Sequence, residues 1–443
     1  MTLNLKANTE SAGDFLWHPY TRHSALEAGP LPVITRGEGV YLFDAENSRY
    51  LDAISSWWAC NLGHGHPRIV AAIREQAGKL QHSILGNLSH PRALELAERL
   101  AHLFPACPRS VFFGSDGASA VEAALKIAVQ YWHNTGRPEK HRFASLKHAY
   151  HGDTLGAVSV GYLESFHKQF RSVTFPVHQA GSPCCGTCEF GKTPDTCDLE
   201  CFASMNAIVR ERAAELAAVI VEPLCQGAGG IRIYAPKYLS ALRTLCDEEN
   251  VLLIVDEIAM GFGRTGKMFA SEHAGIEGDI ICVGKGLSGG ALPISATIVS
   301  RDLYDTFGDT PEDHTFYHGH SFGGNPIAAA AALGALSIYK EEDIVARAAA
   351  AGEVMLREMM PIHEMDAVRD VRCLGMVGAV ELADVPGATG AERARQVQAE
   401  LLERGILLRP LDNVVYLMPP LVIPEEALEE AVAALRTAVG HLA

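Results

Sequence analysis

The sequence predicts an α/β fold: a large, mostly parallel sheet covered by helices, with a smaller α+β unit built from both chain ends. Two patterns predict it. Between about Arg68 and Ser300, short apolar runs of strand length alternate with helical stretches, as a buried parallel sheet requires. Beyond residue 336 the pattern changes to paired strand-like pieces and amphipathic helices. Length agrees, since 443 residues, 48% of them hydrophobic and 20% charged, supply core for two or three domains.

In chain order, the opening residues 1–15 are polar and carry no apolar signal core. Residues 39–43 and 50–52 read as short strands, so 1–60 is expected to pack with the C-terminal unit. The large domain, 61–335, carries strand-like runs at 111–113, 142–146, 218–222, 251–256, 280–283 and 294–299. Val121, Ala124, Leu125, Ala128 and Trp132 share one face of a helix. In the C-terminal part, 336–443, residues 368–382 read as two strands broken at Gly375, and 391–403 as a helix ended by Gly405. Strands follow at 406–409 and 414–418, then an amphipathic helix at 425–439 with Pro424 near its start.

Charge and hydropathy exclude some functions. A formal net charge of −16 repels phosphate backbones, so nucleic acid is not an expected partner. Apolar runs such as 217–221 and 251–255 end far too early to span a bilayer, and a cytoplasmic enzyme is expected. The 11 cysteines are then expected to be mostly reduced thiols.

Four motifs carry chemistry, and each also has a structural explanation. Asp256 ends the apolar run 251–255, where a parallel strand points its last side chain into the ligand crevice; a capping or salt-bridged Asp would look the same. Lys285 follows an apolar strand between Gly284 and Gly286; a lysine in such a crevice can lose its proton and attack carbonyls, or it can be a solvent-exposed or phosphate-binding residue of a glycine turn. The run Gly114-Ser-Asp-Gly117-Ala118-Ser119 opens a helix, which makes either an anion site or a plain N-cap. Tyr150 stands just beyond the 142–146 strand, where its ring can stack on a planar cofactor or be buried with one hydrogen bond. Their order decides: phosphate loop, aromatic ring, strand-end Asp and glycine-flanked Lys follow one another along one sheet. That is the set pyridoxal phosphate needs, with a Schiff-base lysine, an acidic partner for the pyridine nitrogen and a phosphate cup.

Three further patterns also invite a chemical reading. Gly261-Phe-Gly263-Arg-Thr-Gly266 fits the dinucleotide pattern, but its glycines lie well past the strand end and no helix opens at Gly266. Cys185, Cys188, Cys197 and Cys201, with Cys184 adjacent, have the spacing of a zinc staple or of a surface loop with reduced thiols, and the loop is the expectation, with no metal. The pairs His64/His66 and His318/His320 are expected to pack or hydrogen-bond.

The run Val255-Asp256-Glu257-Ile-Ala-Met-Gly-Phe-Gly-Arg-Thr-Gly266, with Gly284-Lys285-Gly286, resembles the signature of the class III pyridoxal-phosphate aminotransferases. Trp17-His-Pro-Tyr20-Thr21, Ser55-Ser-Trp57-Trp58, Tyr150-His-Gly-Asp-Thr154, His318-Gly-His-Ser-Phe322, Leu408-Arg409-Pro410 and Tyr416-Leu-Met-Pro-Pro420 are similar to the branch that converts 8-amino-7-oxononanoate to 7,8-diaminononanoate in biotin biosynthesis. The resemblance spans nearly the whole chain apart from the cysteine-rich stretch, and it implies the fold-type-I architecture and a homodimer acting on a small-molecule amino donor and keto acceptor. It implies that Lys285 holds the cofactor covalently, Asp256 pairs with the pyridine nitrogen, and Gly117 and Ala118 hold the phosphate. Tyr150 would pack on the cofactor ring and touch substrate. Gly319, His320 and Ser321 would come from the neighbouring subunit, Ser321 reaching the phosphate, while Tyr20, Trp57, Arg409 and Tyr416 would shape the substrate pocket. Three positions depart from the family: Ala118 stands where many members have Ser, and His320-Ser321 where many have Pro-Thr. The His320 variant resembles members that take lysine rather than S-adenosylmethionine as donor. Other omega-aminotransferases, acting on an omega-amino acid or diamine, and aminomutases share the same cofactor residues.

Overall fold

A computed structural model of the chain describes residues 15–27, 31–193 and 196–442. Of the opening polar segment only its last residue, Phe15, falls among them. All six expected strands of the large domain pair in one sheet, with ends displaced by a residue or two. They are β1 (Arg109–Gly114), β2 (Arg142–Leu146), β4 (Leu216–Val221), β5 (Leu252–Asp256), β6 (Ile280–Val283) and β7 (Ser295–Ser300); a seventh, β3 (His178–Ala180), completes the order β1-β7-β6-β5-β4-β2-β3. The His-Gln-Ala run of β3 is too short and too polar to signal a strand. Only β7 runs antiparallel to its neighbours.

Strands β4 and β5 are buried at every residue, which is why β4 reads as an unbroken apolar run and β5 as one ended by Asp256, rather than as alternation. The helix Gly117–Asn134 lies over one face, where the Trp132 indole donates to the carbonyl of Ala217 at 2.9 Å. The helix Pro236–Glu248 covers the other through Tyr238, Leu239, Leu242 and Leu245. The carboxyl ends of β2, β5 and β6 therefore open toward the same edge of the sheet, and Tyr150, Asp256 and Lys285 stand there.

The two chain ends meet in a second sheet. Strands Ile34–Glu38, Tyr41–Asp44 and Arg49–Asp52 form an antiparallel set, and Ile406–Leu407 adds to it in parallel, Ile406 opposite Leu51. That strand stops two residues earlier than expected, so Arg409 lies in the loop ahead of Pro410. Val368–Leu374, Val377–Leu382 and Val414–Leu417 form an antiparallel three-stranded sheet whose first turn passes through Gly375 at φ +54°. The helix Gly390–Glu403 starts with a capping box between Thr389 and Glu392, and Glu425–Gly440 closes the chain. Among the described residues no helix is long and apolar enough to cross a membrane.

One local feature shapes the site. Residues Ser55, Ser56, Trp57 and Trp58 all have positive φ, between 44° and 69°, a left-handed turn that side chains oppose. It is held from several directions. The Ser55 hydroxyl donates to the Met418 carbonyl at 2.7 Å, Asp52 accepts from the Ser56 N–H and hydroxyl, and the Trp58 indole donates to the Tyr416 hydroxyl at 3.1 Å.

Candidate active site

A cleft of about 500 Å³ opens at the carboxyl edge of the large sheet, lined by Trp58, Gly117, Ala118, Tyr150, Asp256 and Lys285. It continues into an arm of about 200 Å³ walled by Tyr20, Trp57, Phe166 and Arg409, and the two share Trp58, Tyr150, Asp153 and Lys285. The four motifs that stand far apart in sequence thus face one space.

Lys285 has φ +42°, a left-handed conformation that a lysine rarely adopts and that tends to occur at functional sites. Its Nζ lies 5.5 Å from the Trp58 ring centre and, among the described residues, has no hydrogen-bond or ion-pair partner. Burial pulls its pKa below the ordinary lysine value, against the pull of Asp256, Glu222 and Asp153. Asp256 is buried at the end of β5. One carboxylate oxygen accepts the Ile258 N–H at 3.0 Å; the other is 2.7 Å from His151 Nδ1, while His151 Nε2 is buried without a partner.

At the start of the helix Gly117–Asn134, the Asp116 carboxylate accepts the Ser119 N–H at 2.9 Å and so acts as the N-cap. The N–H groups of Gly117 and Ala118 find no protein acceptor among the described residues, which leaves the helix start able to take an anion as well. A Cβ on Gly117 would sit 2.9 Å from Ile258, so only glycine fits at that point.

The aromatic side of the cleft is organised by a residue the sequence does not announce. Asp153 accepts from the Tyr20 hydroxyl at 2.6 Å and from the Tyr150 hydroxyl at 2.9 Å. Burial would raise the Asp153 pKa, but hydrogen bonds from His167, Tyr20 and Tyr150 outweigh it and hold the carboxyl below its usual range. Burial and the neighbouring Asp153 push Tyr20 up to about 12 and Tyr150 further still, so both phenols keep their protons. Glu222 is a second unannounced carboxylate: it accepts the N–H groups of Tyr150 and Gly227, and burial raises its pKa to about 7.

Arg409 lies against Trp57 and Tyr20, its guanidinium 4.9 and 5.5 Å from their ring centres, and donates only to the Tyr20 carbonyl, at 3.4 Å. No carboxylate pairs with it among the described residues. Tyr416 is placed differently from the expectation. It is fully buried behind Trp58 and lines neither part of the cleft, so it supports the pocket wall rather than forming it. Gly319, His320 and Ser321 are exposed and do not line this chain's cleft.

The remaining motifs resolve into structure. The Gly261–Gly266 run opens no helix; Gly263 and Gly266 turn at φ +90° and +86° against Leu421 and Ala349. His64 pairs with Asp52 at 2.9 Å, and His66 caps the helix Pro67–Ala77. Cys184, Cys185, Cys188, Cys197 and Cys201 line a separate cavity of about 330 Å³, and no three ligating groups gather for a metal among the described residues.

Comparison with known proteins decides the family. The sequence matches Aminotransferase class-III over residues 24–439. The chain belongs to the class-III aminotransferases. A relative from Geobacter sulfurreducens, an adenosylmethionine-8-amino-7-oxononanoate aminotransferase, is 40% identical over 96% of this chain and 95% of its own. One of the same name from Methanocaldococcus jannaschii is 37% identical over 94% of each, and the solved structure of that enzyme superposes with a TM-score of 0.93, at 35% identity and 99% coverage of both chains. An amine transaminase from an uncultivated Pseudomonas species, solved in its PLP-bound form, superposes at 0.91 with 33% identity, covering 97% of this chain and 99% of its own.

This class-III aminotransferase uses pyridoxal phosphate, and the cleft fits that group on three observations. Among the described residues, the helix start offers two N–H donors without an acceptor, Asp256 is a cleft carboxylate fixed by His151, and Lys285 is a half-buried amine without a partner. His151, Asp153, His167 and Glu222 escaped the sequence reading. His151 and Asp153 lie inside a motif already singled out, yet nothing local shows which distant groups they meet.

Proposed function

We propose that this chain transfers an amino group to 8-amino-7-oxononanoate, giving 7,8-diaminononanoate for biotin biosynthesis, with S-adenosylmethionine or lysine as donor. The names of its relatives support the reaction. The observation that carries it is Arg409: a guanidinium with no carboxylate partner among the described residues, in an aromatic-walled arm that also reaches Lys285. Such an arm suits a long aliphatic acid whose carbonyl lies at the lysine and whose distal carboxylate meets the arginine fork.

When bound, pyridoxal phosphate supplies an aldehyde that takes the amino group and a protonated ring that accepts electron density. Gly117 and Ala118 would hold its phosphate by their N–H groups, and Asp256, steadied by His151, would keep the pyridine nitrogen protonated. The Lys285 amine would anchor the cofactor and, once released, act as the base at the amine-bearing carbon of the donor. Burial suits it to that task, since it favours the unprotonated amine. It would later return a proton to the former carbonyl carbon of the acceptor, while Tyr20, Tyr150 and Trp57 hold the acceptor chain. Gly319, His320 and Ser321 would reach the phosphate edge of a second copy in a homodimer. Their exposure supports this, as does that of Tyr317, 81% accessible, and Phe322, 63% accessible. The setting would be the cytoplasm.

The test is product formation. Purified protein with pyridoxal phosphate, 8-amino-7-oxononanoate and each donor in turn should yield 7,8-diaminononanoate by mass spectrometry, and none without a donor. Turnover of omega-amines with no such product would assign the chain to another activity of the family.

A further inference from the structure

We infer that His167 is a positioning residue for the acceptor arm, holding Asp153 as the shared acceptor that aims the hydroxyls of Tyr20 and Tyr150. His167 ends the short helix Glu164–His167 and is buried although its residue type is polar. Its Nδ1 accepts the Leu163 N–H at 3.0 Å, so that nitrogen carries no proton. The ring proton therefore sits on Nε2, 3.4 Å from Asp153 Oδ1. The rings of Tyr150, Tyr162 and Phe166 surround the imidazole with centres 6.0 to 6.1 Å away, and Tyr150 lies nearly parallel at 17°, which fixes the plane in which that N–H points.

Asp153 itself is held by little else. It stands on the loop after Gly152, exposed toward the cleft, and among the described residues accepts only from His167, Tyr20 and Tyr150. Two of these three donors belong to the pocket it organises, and Tyr20 comes from the distant N-terminal segment. Among the described residues His167 is the only donor buried behind the carboxylate. Without it, the carboxylate keeps only the phenols it is meant to orient, and its charge meets less opposition to protonation.

The groups facing Asp153 are Tyr20, Tyr150 and His167 by hydrogen bond, with Lys285 across the cleft and Arg409 beyond Tyr20. The hydrogen bond from His167 is one of those that lower the Asp153 pKa. Its removal raises that pKa, so the carboxylate is lost at a higher pH as the medium is acidified, and the phenols lose their common acceptor.

The inference rests on the acceptor-arm reading above, and the experiment separates the two. The holoenzymes of wild type, His167→Leu and His167→Gln are compared, because glutamine can still donate toward Asp153 and leucine cannot. His167→Leu should move the acid limb of the kcat/KM profile for the keto acceptor up by about one pH unit and lower its neutral value about tenfold, as loss of one charge-assisted hydrogen bond implies. His167→Gln should restore most of both, with cofactor absorbance unchanged in each variant and the melting temperature lowered more by leucine, which strands the Leu163 N–H, than by glutamine. An unmoved acid limb in His167→Leu, or equal loss in both variants with lowered melting temperatures, would overturn the inference. Wild-type protein labelled with 15N-histidine gives a readout independent of activity: the His167 proton should sit on Nε2, and a proton on Nδ1 would contradict the geometry. If the keto acid is not turned over at all, the acceptor reading fails, and the same pH profile is then taken on the half-reaction with whichever amine converts the cofactor.

Discussion

Arg264 and Arg409 serve the same pocket wall in opposite ways. Arg264 is fully buried and donates to the carbonyls of Met376 and Pro419, the Ser55 hydroxyl and the Asn61 side chain, at 2.6 to 3.3 Å. It braces the left-handed Ser55–Trp58 turn from behind. Arg409 touches the aromatic rings presented from that region and keeps its fork free of carboxylates. Both arginines sit next to family motifs, so motif membership does not separate them. What separates them is whether the protein itself satisfies the donors. A guanidinium whose two terminal nitrogens are both bonded by the protein, as in Arg264, is structure; one held by its flat faces and a single long hydrogen bond, as in Arg409, is waiting for a ligand.

The largest expected effect follows from removing the braced arginine. Arg264→Met strands buried acceptors at Pro419, Met376 and Asn61 and should cost about 3–5 kcal/mol of stability. Thermal unfolding checks it, and a normally stable variant would break the comparison. Arg409→Ala should do the reverse, leaving the melting temperature in place and raising KM for 8-amino-7-oxononanoate by about 10²-fold, the worth of a lost charge-assisted pair. The wild type should prefer the free acid over its methyl ester, and the variant should not.

Two neighbouring carboxylates sharpen the same contrast. Asp256 faces the cleft, whereas Glu257 turns inward to accept the Ala270 and Ser271 N–H groups at 3.0 and 2.8 Å. Asp256→Asn should lower kcat by about 10²–10³-fold at near-native stability. Glu257→Gln places an amide N–H against a backbone donor and should cost about 1–3 kcal/mol of stability with smaller kinetic loss. The smallest effect belongs to the cysteine loop. Cys185→Ser with Cys188→Ser should shift stability by no more than about 0.5 kcal/mol and leave turnover near wild type, and stoichiometric zinc in the native protein would contradict that.

The contrast also explains what could be read beforehand. Asp256, Lys285 and Gly117 were legible because each ends or begins an element whose apolar pattern is strong, and position at a strand end or helix start decides which way the group faces. Strand β3 was not, since three residues carry no period. Asp153 and His167 are related by a hydrogen bond across 14 positions, and Asp256 and His151 by one across 105, so only the folded chain reveals either pair. Tyr416 lay in a correctly expected strand, but which side of Trp58 it would occupy depends on how that strand packs on the Ser55–Trp58 turn.

The central claim is that Lys285 is the amine at which the chemistry occurs. The most direct measurement is borohydride reduction of the holoenzyme followed by peptide mass mapping. The account predicts one modified peptide, carrying the cofactor's mass on Lys285, and no cofactor fixed to a Lys285→Ala variant. Cofactor fixed to any other lysine, or still fixed to the variant, would contradict it.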